Sequence, residues 1–240
     1  GGACTLSVNA TGPNATSCSV TYTPTSRGTG THGIGAAYAA NGSHAASSAS
    51  PFALAIVAAS QTITVTTAAP ASAIFGQTFP VAATADSGLT VAITASGSCH
   101  VSAGGSGTAT IAIDNGTGTC TVHYNQAGSI DFDPAAEVTN VTTSGHASQT
   151  ITFGGLTDRA LGTADFAVSA TASSGLAVSF SASGTCSVSA TTVHMTSAGS
   201  CTITAHQAGD GNYDPAADVP QSFTVGIGTA TITWSDPAAI

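Results

Sequence analysis

Two stretches of the chain, ATADSGLTVAITASGSC at residues 83–99 and ATASSGLAVSFSASGTC at 170–186, match at most positions without a gap. Upstream, QTITV at Gln61 matches QTITF at Gln149. Downstream, CTVHYNQAGSIDFDPAAEV (120–138) matches CTITAHQAGDGNYDPAADV (201–219). A unit of roughly 80–90 residues used twice is the length of one β-sandwich domain, so the chain must fold as an array of small units, each with its own modest core.

Within each repeat the period is two. In CTITAH, Cys201, Ile203 and Ala205 share one face and Thr202, Thr204 and His206 the other. Leu176, Val178 and Phe180 form the inward set of GLAVSF, and Val193 and Met195 that of VHMT. Short alternating runs broken by Ser-Gly, Asn-Gly and Asp-Pro are strands of a half-buried antiparallel sheet. Ser87-Gly88 and Ser174-Gly175 stand where a tight hairpin turn needs positive φ. No stretch sustains a helical period. About seven strands per repeat predict a sandwich of two sheets, an all-β fold.

The six cysteines fall into three local pairs, Cys4/Cys18, Cys99/Cys120 and Cys186/Cys201. No CxxC or His-x-x-x-His spacing accompanies them, which argues against zinc. One pair per segment predicts one disulfide per domain and an oxidising, extracellular or periplasmic compartment. Closing loops of this size stabilises by on the order of 3 kcal/mol each.

Composition narrows function. The formal charge is −9, with 11 carboxylates against two cationic side chains, Arg27 and Arg159, and no Lys. Such a surface does not recruit nucleic acid or anionic membranes, which need clustered Lys and Arg. Solubility rests on 30 Ser and 39 Thr. The longest apolar run, PFALAIVAA at 51–59, is too short to span a bilayer. No signal-peptide pattern is present.

Four units are expected: residues 1–58, with opening strands missing; 59–147; 148–227; and 228–240, the first strand of a further repeat. Residues 1–58 carry a C…CSVTYTP…GTGTH pattern, the two repeats QTITF…SGL…GSCT…QAG-x-x-x-Y patterns, and the end TITWSDPAAI. On these motifs, which cover nearly the whole chain, it resembles the tandem bacterial Ig-like repeats of large secreted and surface-attached proteins, often adhesins. The resemblance implies immunoglobulin-like sandwiches acting as spacers and carries no catalytic residues.

The stretch QAGDGNYDPAAD (207–218) is the strongest candidate for a site. Asp210, Asn212 and Asp214 alternate like the opening ligands of a calcium loop, and Asp218 follows. An EF-hand loop also needs Gly at its sixth position and Glu at its twelfth, which here are Pro215 and Gln221. The counterparts QAGSIDFDPAAE and YAANGSHAASSA keep a ring (Tyr213, Phe132, His44) while the carboxylates come and go. The pattern therefore favours a crossover turn with an aromatic plug for the core over a calcium site.

The seven histidines, His32, His44, His100, His123, His146, His194 and His206, are scattered, and the outward His123 and His206 do not align with each other. They read as surface residues. A nucleophile–His–Asp set is not legible among so many Ser and Thr, and GxSxG and HExxH are absent. One Trp, Trp234, and four Tyr make no aromatic sugar platform beside paired carboxylates. Asn9, Asn14, Asn41, Asn115 and Asn140, five of the seven Asn, begin N-x-S/T and are glycosylation acceptors by pattern.

The sequence thus points to a non-enzymatic extracellular stalk or filament of Ig-like modules on a bacterial surface, without cofactor, partnered by neighbouring modules of the same chain or of a homopolymer. In that reading, short linkers such as Ala147-Ser148 limit bending and charge-poor Thr faces pack closely. A carbohydrate- or surface-binding module on outward Thr rows, with surface glycans as partners, and accessory domains of a secreted enzyme are the alternatives. The strand expected at 229–237 would be completed in cis by further sequence, or would add to the open edge of another copy.

Overall fold

The computed structural model describes residues 7–8, 16–17, 30–38, 40, 42 and 45–228. Cys4, Cys18, Asn9, Asn14, Asn41, His44 and the strand expected at 229–237 lie outside them. In the first unit, Ser7–Val8 pairs with Thr16–Ser17, Gly30–Ile34 with Phe52–Ile56, and Ala37–Tyr38 with Ser47–Ser48, all antiparallel.

In the first of the two repeats, Ile63–Thr67, Thr78–Ala85, Thr108–Ile113 and Cys99–Ser106 form one four-stranded row. Ala92–Gly97, Thr119–Asn125, Val138–Gly145 and Ser72–Ile74 form the second. The rows meet along one edge through a single pair, Ala92 with Ser106. Ser72–Ile74 runs parallel to Val138–Gly145, and every other pairing between these strands is antiparallel. In chain order this is the ABED and CFG arrangement of immunoglobulin sandwiches, with the first strand switching sheets half-way.

The second repeat has the same topology with its second strand broken. Ile151–Phe153 pairs with Ala170–Ala172, and Phe166–Ala167 with Thr192–Met195 and through it Cys186–Ser189. The opposite sheet runs Arg159–Ala160, Val219–Gly226, Gly199–His206, Ser179–Gly184. The chain is all-β, with immunoglobulin-like sandwiches in tandem.

Side-chain alternation builds both cores. Cys201, Ile203 and Ala205 are fully buried, as are Cys120, Val122 and Tyr124 at the matching places. Val193 and Met195 are buried, and Val178 and Phe180 pack at the core margin. Cys99–Cys120 and Cys186–Cys201 are disulfides, with Cα atoms 5.3 and 5.6 Å apart, each joining the two sheets of its sandwich. In cores this rich in Ala and Val, where a buried aliphatic side chain gives about 1.5–3 kcal/mol, one disulfide stabilises as much as one or two core residues.

Two sequence expectations need correcting. Gly88 and Gly175 have positive φ, at 76° and 78°, and each closes a turn back to the carbonyl of Ala85 or Ala172. The strands that follow cross to the opposite sheet, so these turns are not hairpins. The stretch 207–218 joins two adjacent strands of one sheet, Gly199–His206 and Val219–Gly226, so it is not a crossover.

Candidate functional site

The loops at 126–137 and 207–218, here called corners, are built on a buried glutamine at the start of each repeat. Gln149 Nε2 donates to Gln207 Oε1 (2.9 Å) and to the Asp214 carbonyl (2.8 Å), while its Oε1 accepts from Ser174 Oγ (2.5 Å). Gln61 does the same with Gln126, the Asp133 carbonyl and Ser87. In both, the second glutamine also accepts from the backbone N–H of Gly209 or Gly128. Gln61 and Gln149 are 6% and 7% exposed, so their amides are satisfied by protein rather than water.

Each corner grips the linker leading into its own repeat. Ala147 N donates to the Asn212 carbonyl (2.8 Å), and Asp214 N donates back to the Ala147 carbonyl (3.0 Å). Ala59 is held identically by Asp131 and Asp133, at 2.9 Å each. Each linker is thus held to its corner through both the N–H and the C=O of one residue.

The second corner also packs on the preceding repeat. Tyr213 meets Phe75 edge-on, with centroids 5.4 Å apart and planes at 77°. Gly116 N donates to Asn212 Oδ1 at 2.9 Å, and His146 Nδ1 lies 3.1 Å from Asp214 Oδ1. A Cβ on Gly116 would come within 2.7–2.8 Å of the Gly211 carbonyl and Asn212 Cα, so the backbones touch there. This corrects the aromatic-plug expectation: Tyr213 and Phe132 are only half-buried and lie outside both core clusters. The rings of the cores are Phe79 and Tyr124 in one repeat and Phe153, Phe166, Phe180 and Phe223 in the other.

The four carboxylate and amide residues of the calcium pattern take separate partners. Asp210 Oδ1 accepts from Asn212 N (2.8 Å) and Tyr213 N (2.9 Å), closing its own turn. Asn212 and Asp214 face the preceding repeat, and Asp218 pairs with His206. Among the described residues no three His, Cys, Asp or Glu gather around a common point. Of the sequons, Asn115 is exposed beside the inter-repeat contact. Asn140 is engaged: Oδ1 accepts from Ala69 N and Tyr124 Oη, and Nδ2 donates to the Thr139 carbonyl.

Five of the histidines are at the surface but not idle. His100, His123, His146, His194 and His206 each place Nδ1 against a carboxylate, those of Asp114, Glu137, Asp214, Asp165 and Asp218, at 2.7–3.1 Å. In a chain without Lys, imidazole is the partner its carboxylates have. Hydrogen bonds from Asn125 and His123 hold the Glu137 carboxyl below the usual range. The glutamine hub went unrecognised in the sequence. Its signal was identity at Gln61/Gln149, Ser87/Ser174 and Gln126/Gln207, polar positions repeated where surface residues drift.

No family model and no curated protein matches the chain. Three solved structures are similar at low level. Drosophila N-cadherin EC1-4 matches at 12% identity over 70% of this chain and 51% of its own, with TM-score 0.27. The Dpr2 Ig1-Ig2 complex with DIP-Theta Ig1-Ig3 matches at 11% over 76% and 69%, with TM-score 0.29. The N-terminal part of the bacterial S-layer protein SbsC matches at 18% over 68% and 44%, with TM-score 0.22. At these scores none bears on what the chain does.

Proposed function

We propose that the chain is an extracellular array of Ig-like modules that serves as a stiff spacer, a stalk or filament segment of a surface protein. Its units are the four the sequence suggests, at 1–58, 59–147, 148–227 and 228–240. The observation that carries this reading is the corner at 207–218, which holds the incoming linker by two backbone hydrogen bonds and packs on the preceding repeat through Tyr213, Asn212 and Asp214. A linker free to swivel positions nothing, whereas a clamped one fixes the angle between modules and transmits position along the array. The disulfides support an oxidising compartment. Partners are neighbouring modules.

Residual dipolar couplings measured on the 240-residue chain test the reading. Residues 61–145 and 149–226 are expected to fit one common alignment tensor. Two tensors of clearly different magnitude, meaning modules that reorient independently, would reject the spacer.

A further inference from the structure

On the outer face of the sheet that carries the corner, each repeat holds a serine, a histidine and a carboxylate in line. In the second repeat Ser181 Oγ is 2.7 Å from His206 Nε2, and His206 Nδ1 is 2.7 Å from Asp218 Oδ1. In the first, Ser96 Oγ is 2.8 Å from His123 Nε2, and His123 Nδ1 is 2.9 Å from Glu137 Oε1. An ionised carboxylate offers only lone pairs, so Nδ1 must carry the ring proton. In the neutral ring Nε2 is then the acceptor, and the serine hydroxyl donates into it. The polarity of both chains is fixed as Ser O–H to Nε2 and Nδ1–H to carboxylate. This is the polarity in which imidazole takes the proton of an attacking hydroxyl.

The two sets are not at equivalent positions. His123 follows Cys120 by three residues and His206 follows Cys201 by five; Ser96 precedes Cys99 by three and Ser181 precedes Cys186 by five. Serine and histidine have moved together by one side-chain pitch on the same face. The cross-strand diagonal is kept: Ser96 pairs with Thr121 and Ser181 with Thr204, and each histidine lies two residues beyond that partner. The carboxylate stays in place, immediately before the last strand. Aspartate serves where the histidine is beside it, and the longer glutamate where the histidine is two residues away.

We propose that Ser181 and Ser96 are activated acyl-acceptor hydroxyls, modified by an activated ester or thioester donor ahead of the other hydroxyls of the chain. Ser181 Oγ bonds to the acyl carbon as its proton passes to His206 Nε2. The bond from the acyl carbon to the leaving oxygen or sulfur then breaks, and the leaving group takes that proton from the imidazolium. The products are an acyl-serine and a free alcohol or thiol. Ser181 stands on an edge strand paired only with Gly199–His206, and Thr204, directly opposite, is a hydroxyl able to support an oxyanion. With so little oxyanion support the outcome is stoichiometric modification, not rapid turnover.

The test treats the 240-residue chain with p-nitrophenyl acetate at neutral pH, quenches in acid and maps acetyl groups by peptide mass spectrometry. Ser181 and Ser96 should be labelled about a hundredfold or more above any other Ser or Thr, the lower end of what a positioned base contributes. His206→Ala should abolish the Ser181 label and leave that at Ser96, which reports that the chain is folded and the reagent active. Asp218→Asn, which keeps the shape of the side chain, should lower the Ser181 label alone. Labels spread in proportion to exposure, acetyl found on the histidines only, or an unchanged Ser181 label in His206→Ala would each overturn the proposal.

Discussion

Thr185 and Ser98 occupy the same place in the two repeats, one residue before the first disulfide cysteine. Ser98 Oγ shares a hydrogen bond with Ser144 Oγ at 2.5 Å. In the second repeat the Ser144 position is Val225, and Thr185 Oγ1 is left buried without a partner. Thr185→Val, which has the same shape, should therefore stabilise the second repeat by about 1 kcal/mol, the cost of an unsatisfied hydroxyl. A raised denaturant midpoint at unchanged slope would show it. Gln149 is the opposite case. Gln149→Ala strands Gln207, Ser174 and the Asp214 carbonyl together, and should cost about 2–4 kcal/mol in the same measurement. Acid sensitivity also separates the repeats. Asp86 accepts from Thr62 N (3.0 Å) and Thr62 Oγ1 (2.8 Å), which hold its carboxyl below the usual range, whereas neutral Ser173 caps Thr150 in the second repeat. A carboxyl lowered on folding stabilises fully above its unfolded value and ceases to as pH falls through the folded one. Below about pH 4 the first repeat should lose stability faster than Asp86→Ser, with the two curves parallel at neutral pH; chemical denaturation across pH would check this.

At the scale of elements, the corners depend on one backbone conformation. Gly209 and Gly128 have φ of 76° and 81°, and a Cβ at either would fall within 2.3–2.5 Å of the Tyr213 or Phe132 carbonyl. Gly209→Ala should disorder the corner and release Ala147 while sparing the core strands. Hydrogen exchange would then rise at Ala147 and Asp214 but not at Ile203; protection unchanged at Ala147 would count against the corner as a clamp. Strands were legible in the sequence because burial imposes a period of two on them, as at Cys201, Ile203 and Ala205. The turn at Gly88 was legible as a turn because its φ demands glycine, but φ says nothing about which sheet the next strand joins. That is settled by distant pairs such as Ile93 with Tyr124. The corner misled for a related reason. A ring among small residues looks like a core plug, and nothing local shows that the surface facing Tyr213 belongs to another repeat, at Phe75. Gln61 and Gln149 were invisible as buried groups because a polar side chain is usually exposed. The Ser–His–carboxylate sets needed cross-strand register, which sequence spacing does not supply.

Over the whole molecule, the quantity that separates a spacer from a string of loose modules is the stiffness between repeats, and Gly116 isolates it. Its backbone conformation is ordinary, and the atoms crowding it are Gly211 O, Asn212 Cα and His146 Cδ2, two of the three from the following repeat. A methyl group there cannot be absorbed by a rotamer change, because backbone stands on the far side. Gly116→Ala must therefore push the corner away, loosening the Asn212 bond and the Phe75–Tyr213 contact together. The grip on Ala147 uses only the second repeat's own corner and should survive, so the modules stay joined but swivel. Gly116 lies outside both core clusters, so each repeat should keep its own stability. Tyr213→Ala should act in the same direction but less, since it removes one edge-on contact worth about 0.5–1.5 kcal/mol and leaves the Asn212 bond in place. Small-angle scattering of the three chains should show maximum dimension and its spread rising in the order wild type, Tyr213→Ala, Gly116→Ala, with near-identical melting temperatures. A Gly116→Ala profile that superimposes on wild type would mean that the inter-repeat contact does not set the angle, and the array would have to draw its stiffness from the linker clamp alone.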